Sequence, residues 1–129
     1  MMKLEDITAM CRLTDKGYLA QPVTCWRDKE TGEMVSIKNT CPAELFAKIV
    51  EEAAEAMKDE AVYEIHRGTG YNEVAEDHRH ALGMELTDII TACTTALDYF
   101  GFDLMARAEM QNEVNTKNRN RGYHNGGDE

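Results

Sequence analysis

The hexapeptide His66-Arg67-Gly68-Thr69-Gly70-Tyr71 constrains this chain most, because its glycines interrupt two long stretches of helical apolar periodicity. Pro42 opens the first stretch as a proline at the first helical position. Leu45, Phe46, Ile49, Val50, Ala53 and Met57 then mark one apolar face through to about Ile65. The second stretch starts at Asn72, an N-cap with Glu73 and Glu76 in the favourable first turn. It carries Leu82, Leu86, Ile89, Ile90, Cys93, Leu97 and Phe100, and Gly101 ends it. Two long helices folded antiparallel about the hexapeptide are therefore expected.

Each of these helices carries an acidic block. Glu51, Glu52 and Glu55 lie in KIVEEAAEA, and Glu85 and Asp88 lie in GMELTDII. Glu55 is eleven residue steps before His66 and Glu85 is thirteen after Asn72. At ~1.5 Å per residue these arms are about 16 and 20 Å long, so the fold-back brings the blocks to nearly one height. Within the blocks, Glu52 with Glu55 and Glu85 with Asp88 are three residues apart, which makes them neighbours on a helix surface. Like charges gathered in this way repel unless a cation sits among them. Hard oxygen donors on facing helices suit Mg2+, with Mn2+ as a substitute. A helical wheel places Glu85 and Asp88 on a flank with Ala81, Ala92 and Ala96, and makes Thr87, Thr91, Thr95 and Asp98 the polar face.

The remainder of the chain carries weaker patterns. Leu4, Ile7, Met10 and Cys11 predict a short first helix over 4–14, and Asp103 caps a last helix running to Val114 or Asn118. Between residues 21 and 41, the β-prone runs VTCWR and MVSIK flank DKETGE, a hairpin with Gly32 in its turn. Trp26 is expected to fill the core beneath that hairpin, and the eight methionines to serve as core filler. The expected fold is an all-α antiparallel bundle of about four helices, one domain over 1–129, with a small β-hairpin near 21–41. A lone hairpin and a few half-covered helices need further cover, so a homodimer or homotetramer is expected.

A net charge of −10 on 129 residues argues against a nucleic-acid polymer as partner. The four cysteines form no CxxC pair, the N-terminus has no apolar leader core, and no run approaches the ~18 apolar residues of a membrane span. The reading is a reduced, cytoplasmic protein with no membrane partner. His66, His78, His80 and His124 form no HExxH or ExxH pair, so they read as surface or helix-end residues, and a di-iron site built on such pairs is disfavoured.

An EExxE block followed by a helical turn-around and ExxD resembles the signature of the MazG-like all-α nucleoside triphosphate pyrophosphohydrolases, a group related to dimeric dUTPases, dCTP pyrophosphatases and phosphoribosyl-ATP pyrophosphohydrolases. The resemblance covers about Lys16 to Asp128. Lys16-Gly17-Tyr18 is similar to an early KG-aromatic element of that group. Asn118, Arg121, Tyr123, Gly126 and Gly127 match its NxxRxYxHGG tail, from which Asn125 and Asp128 depart. The resemblance implies Mg2+-dependent hydrolysis of a nucleoside triphosphate, a noncanonical or deoxy nucleotide, to the monophosphate and pyrophosphate. It implies Glu52, Glu55, Glu85 and Asp88 as metal ligands and Glu51 or Glu52 as the catalytic carboxylate acting on water. Lys117, Asn118, Arg121 and Tyr123 are the expected substrate contacts, Arg121 above all because a guanidinium binds phosphate oxygens in pairs. The alternative is a catalytically silent helical module for nucleotide binding or assembly.

Overall fold

The computed structural model describes residues 20–70 and 72–124, and the predicted helix over 4–14 lies outside them. The described chain is mostly helical with one small hairpin. Strand β1 (Cys25–Arg27) pairs antiparallel with β2 (Met34–Ser36), in the register Cys25 to Ser36, Trp26 to Val35 and Arg27 to Met34. A 3-10 turn over Ile37–Asn39 leads into helix α1 (Pro42–Arg67), followed by α2 (Asn72–Tyr99) and α3 (Leu104–Asn120). Ala20–Tyr99 form one compact unit, and Phe100–His124 belong to a second.

Local chemistry accounts for the element boundaries. Pro42 is at the start of α1, Glu44 lies in its first turn, and His66 and Arg67 lie in its last, each with the sign that the helix dipole favours. The α1–α2 turn is tied down by Thr69, whose N–H and hydroxyl both donate to the His66 carbonyl, at 3.2 and 2.9 Å. His66 and His78 stack across this turn with ring centroids 5.2 Å apart; His66 lies in the last turn of α1, whereas His78 is seven residues into α2, and both are half-buried. Asp103 caps α3 by accepting from the Ala106 N–H at 2.9 Å.

The core of the first unit sits where the hairpin meets the start of α1 and the end of α2. Ile37, Leu45 and Ala96 are buried there, with Trp26, Ile49 and Tyr99 packed against them. Trp26 thus fills the core beneath the hairpin as its sequence suggested. The hairpin is anchored by the Val23 N–H, which donates to Thr95 Oγ1 at 3.1 Å, while that hydroxyl donates to the Thr91 carbonyl at 2.9 Å.

The structure departs from the sequence pattern in three places. Thr95 is not on a polar face but is 1% exposed, because its hydroxyl accepts from the Val23 N–H just ahead of β1 and donates to a carbonyl of its own helix. The apolar face expected on α1 is divided: Leu45 is buried and Ile49 half-buried, whereas Phe46, Val50 and Met57 stand exposed. Met34, Met57, Met84, Met105 and Met110 are exposed as well, so they are not core filler within this chain.

Candidate metal centre

Helices α1 and α2 bring together residues more than thirty positions apart. One carboxylate oxygen from each of Glu52, Glu85 and Asp88 falls within 4.8 Å of the others. The similar arms around the turn bring the two blocks to nearly one height, as their lengths anticipated. Glu52 is buried, Glu85 half-buried and Asp88 exposed, so the group is open at one end. Glu55 stands beside Glu85 and repels it, but lies outside this close trio and is exposed.

Glu85 is the electrostatic centre of the group. Its Oε2 is buried and no hydrogen-bond partner reaches it among the described residues. Desolvation, followed by the closeness of Glu52 and Glu55, pushes its carboxyl up to about 7. The metal-free Glu85 carboxyl therefore keeps a proton to higher pH than an ordinary glutamate does.

Two lysines also answer the negative charge. Lys48 Nζ lies 2.9 Å from Glu52 Oε1, one helical turn along α1, and the bond to Glu52 raises the lysine above its ordinary range. Lys29, at the tip of the β-hairpin, pairs with Glu51 Oε1 and holds the Glu51 carboxyl below the usual range. Neither lysine was singled out in the sequence. Lys48 could have been found, since it is four residues before Glu52; Lys29 is 22 residues from Glu51, and no local pattern marks that pairing.

Oxygens around Mg2+ at about 2.0–2.1 Å lie about 2.9 Å apart when adjacent and about 4.2 Å apart when opposite, so oxygens already within 4.8 Å of one another reach such a shell by side-chain shifts of about an ångström. All three donors are hard carboxylate oxygens, and the orphaned Glu85 Oε2 supplies a lone pair with nothing else to bind. Glu52, Glu85 and Asp88 therefore fit a divalent cation, with Glu55 placed at their edge.

The expected substrate contacts lie in the second unit. Lys117 and Arg121 line an open depression of about 630 Å³ on α3, together with Asn112, Glu113, Thr116 and Asn120. Asn118 and Tyr123 do not line it, and their spacing has a local explanation. The Tyr123 N–H donates to the Asn118 carbonyl at 2.9 Å and the Gly122 N–H to the Arg119 carbonyl at 3.0 Å. With Gly122 at φ +77°, this is a Schellman C-cap, in which a glycine is favoured because a side chain is strained there. The RGY run thus ends a helix, and the Arg121 guanidinium rests 5.8 Å from the centre of the Tyr123 ring.

No protein-family model, no curated protein and no solved structure matches this chain. Among the described residues, no helix is long and apolar enough to cross a membrane.

Proposed function

We propose that this chain is a Mg2+-dependent nucleoside triphosphate pyrophosphohydrolase of the MazG-like kind, acting in the cytoplasm on a noncanonical or deoxy nucleotide. The observation that carries this reading is the meeting of Glu52, Glu85 and Asp88 from two helices, around a buried carboxylate oxygen with no partner. Burying like charges is unfavourable, and a divalent cation is the simplest group that reverses the sign of that interaction.

In this reading Glu52, Glu85 and Asp88 hold the ion, with Glu55 beside them. When bound, the ion supplies Lewis acidity and neutralises phosphate charge. Glu51 or Glu52 positions a water and accepts its proton as the water oxygen bonds to the α-phosphorus. The bond from that phosphorus to the bridging oxygen breaks, and pyrophosphate leaves. Lys117, Asn118, Arg121 and Tyr123 are proposed to contact the substrate. With Mg2+ and a panel of (d)NTPs, monophosphate and pyrophosphate are expected in equal amounts, read by anion-exchange chromatography. Diphosphate with orthophosphate would place the cleavage at the wrong bond. Nucleotide binding with no turnover across the panel would favour the silent helical module.

A second copy of the chain is proposed as partner, in a homodimer or homotetramer. Val50 and Met57 are 66% and 73% exposed, and Leu86 and Ile90 are about half exposed. At about 100° per residue, Val50 and Met57 lie about a third of a turn from the buried Leu45, Glu52 and Ala56. Leu86 and Ile90 are displaced from the Glu85–Ala96 flank by a similar angle in the same sense. In an antiparallel pair, equal displacements project to one side of the hairpin, here the side away from Glu55 and Asp88. An identical face on a second copy would cover this patch across a two-fold axis while keeping the acidic edges apart. Sedimentation equilibrium at micromolar concentration is expected to give at least a dimer, and Ile90→Glu a monomer with its helical circular dichroism intact. A monomeric wild-type chain would refute the assembly.

A further inference from the structure

The tip of the β-hairpin is held by its own hydrogen bonds. Asp28 Oδ1 accepts from the Glu30 and Thr31 N–H groups at 2.7 and 3.0 Å, and the Asp28 N–H donates to the Glu33 carbonyl at 2.8 Å. The Gly32 N–H donates back to the Asp28 carbonyl at 2.8 Å, and the Arg27 guanidinium donates to the Gly32 carbonyl at 2.5 Å. Gly32, at φ +73°, closes the turn in a conformation that other residues rarely adopt. On this fixed tip Lys29 alone reaches out to the acidic block. Its side chain is 75% exposed and its ammonium pairs with Glu51, the neighbour in sequence of the buried Glu52.

The two lysines of this edge differ in what releasing them would cost. Lys48 is paired with Glu52, whose side chain is only 10% exposed, and its departure would strand a buried carboxylate. The Lys29 pair is exposed to water, where ion pairs contribute little and break readily. Five carboxylates against two ammonium groups leave the edge net negative even with one divalent ion bound. A polyphosphate arriving there needs a cation that can be given up cheaply, and Lys29 is that cation.

We infer that the hairpin tip is a phosphate-binding element, in which Lys29 leaves Glu51 and takes an oxygen of a polyphosphate anion docked at the Glu52–Glu85–Asp88 cluster. This rests on the pyrophosphohydrolase reading and assigns the hairpin a part in it. The fixed backbone of the tip sets where the ammonium can reach, and the flexible lysine stem carries it between the two partners.

The test uses the full chain with two probes: Mn2+ alone, followed by electron paramagnetic resonance, and inorganic tripolyphosphate with Ca2+, followed by calorimetry. Lys29→Met is expected to weaken tripolyphosphate binding at least about fivefold. Lys29→Arg should stay within about twofold of wild type, as should Lys38→Met, a charge control elsewhere on the hairpin connection. Mn2+ binding should be as tight as in wild type, or tighter, in all three, which a merely folded-state role for Lys29 would not predict. Equal tripolyphosphate affinity in Lys29→Met and wild type, or equal losses in Lys29→Met and Lys38→Met, overturns the inference. If hydrolysis of nucleotides proceeds while Lys29→Met leaves its KM unchanged, the inference fails and the pyrophosphohydrolase reading stands. A wild-type protein that binds no Mn2+ overturns both.

Discussion

Glu85→Gln is expected to weaken Mn2+ or Mg2+ binding by about 100-fold or more and to lower hydrolysis at least as much, since it removes a charged oxygen from the centre of the site. The fold should survive. Glutamine keeps the shape of the side chain and carries no charge, so it removes the burial cost and the repulsion from Glu52 and Glu55 that push the Glu85 carboxyl up to about 7. The thermal midpoint of the metal-free variant at pH 8 should therefore equal or exceed that of wild type, while its response to added Mn2+ disappears. Asp88→Asn, at the exposed end of the trio, is the milder comparison. Full hydrolysis by Glu85→Gln would remove this site from the mechanism.

Raising the pH should tighten metal binding and loosen the metal-free fold, two effects of opposite sign from one proton. With the Glu85 pKa at about 7 in the folded chain against 4.5 for an ordinary glutamate, folding takes up a proton between those values. The stabilisation from that proton is fully present below about pH 4.5 and is lost as pH rises through 7. Metal must displace the proton, so its affinity should rise about tenfold per pH unit up to about 7 and then level off. The measurements are Mn2+ titrations between pH 5.5 and 8.5, and melting curves of wild type and Glu85→Gln over the same range. The difference between the two proteins isolates this group from carboxyls held low by partners, such as Glu51 and Glu76, whose contribution runs the other way. A metal affinity that does not change with pH would contradict a Glu85 carboxyl raised to about 7.

Much of the helical framework could be read directly. Pro42, Asp103 and the hexapeptide at 66–71 act within a turn or two of their own backbone, so α1, α2 and α3 begin where those residues place them. The pairing of the acidic blocks was legible for a related reason: a rise per residue that hardly varies converts sequence distance into height. The site was less legible at its edges. Counting positions gave Glu52 and Glu55 equal standing, but only Glu52 turns towards α2 closely enough to join Glu85 and Asp88. The NxxRxY spacing near the end also serves as a helix C-cap, which a motif alone does not reveal.

What the sequence by itself determined is the set of features that depend on local backbone energetics: where the three described helices start, where the hairpin turns, and which carboxylates share a height; the last helix runs on to Asn120, past the Val114 or Asn118 expected for its end. Only the tertiary structure decided which side of each helix is covered. It buried Thr95 beneath the hairpin, left Val50 and Met57 in the open, brought Lys29 to Glu51, and gave Glu85 a pKa of about 7. Burial and electrostatics depend on neighbours distant in the chain, and no residue carries those neighbours in its own local pattern.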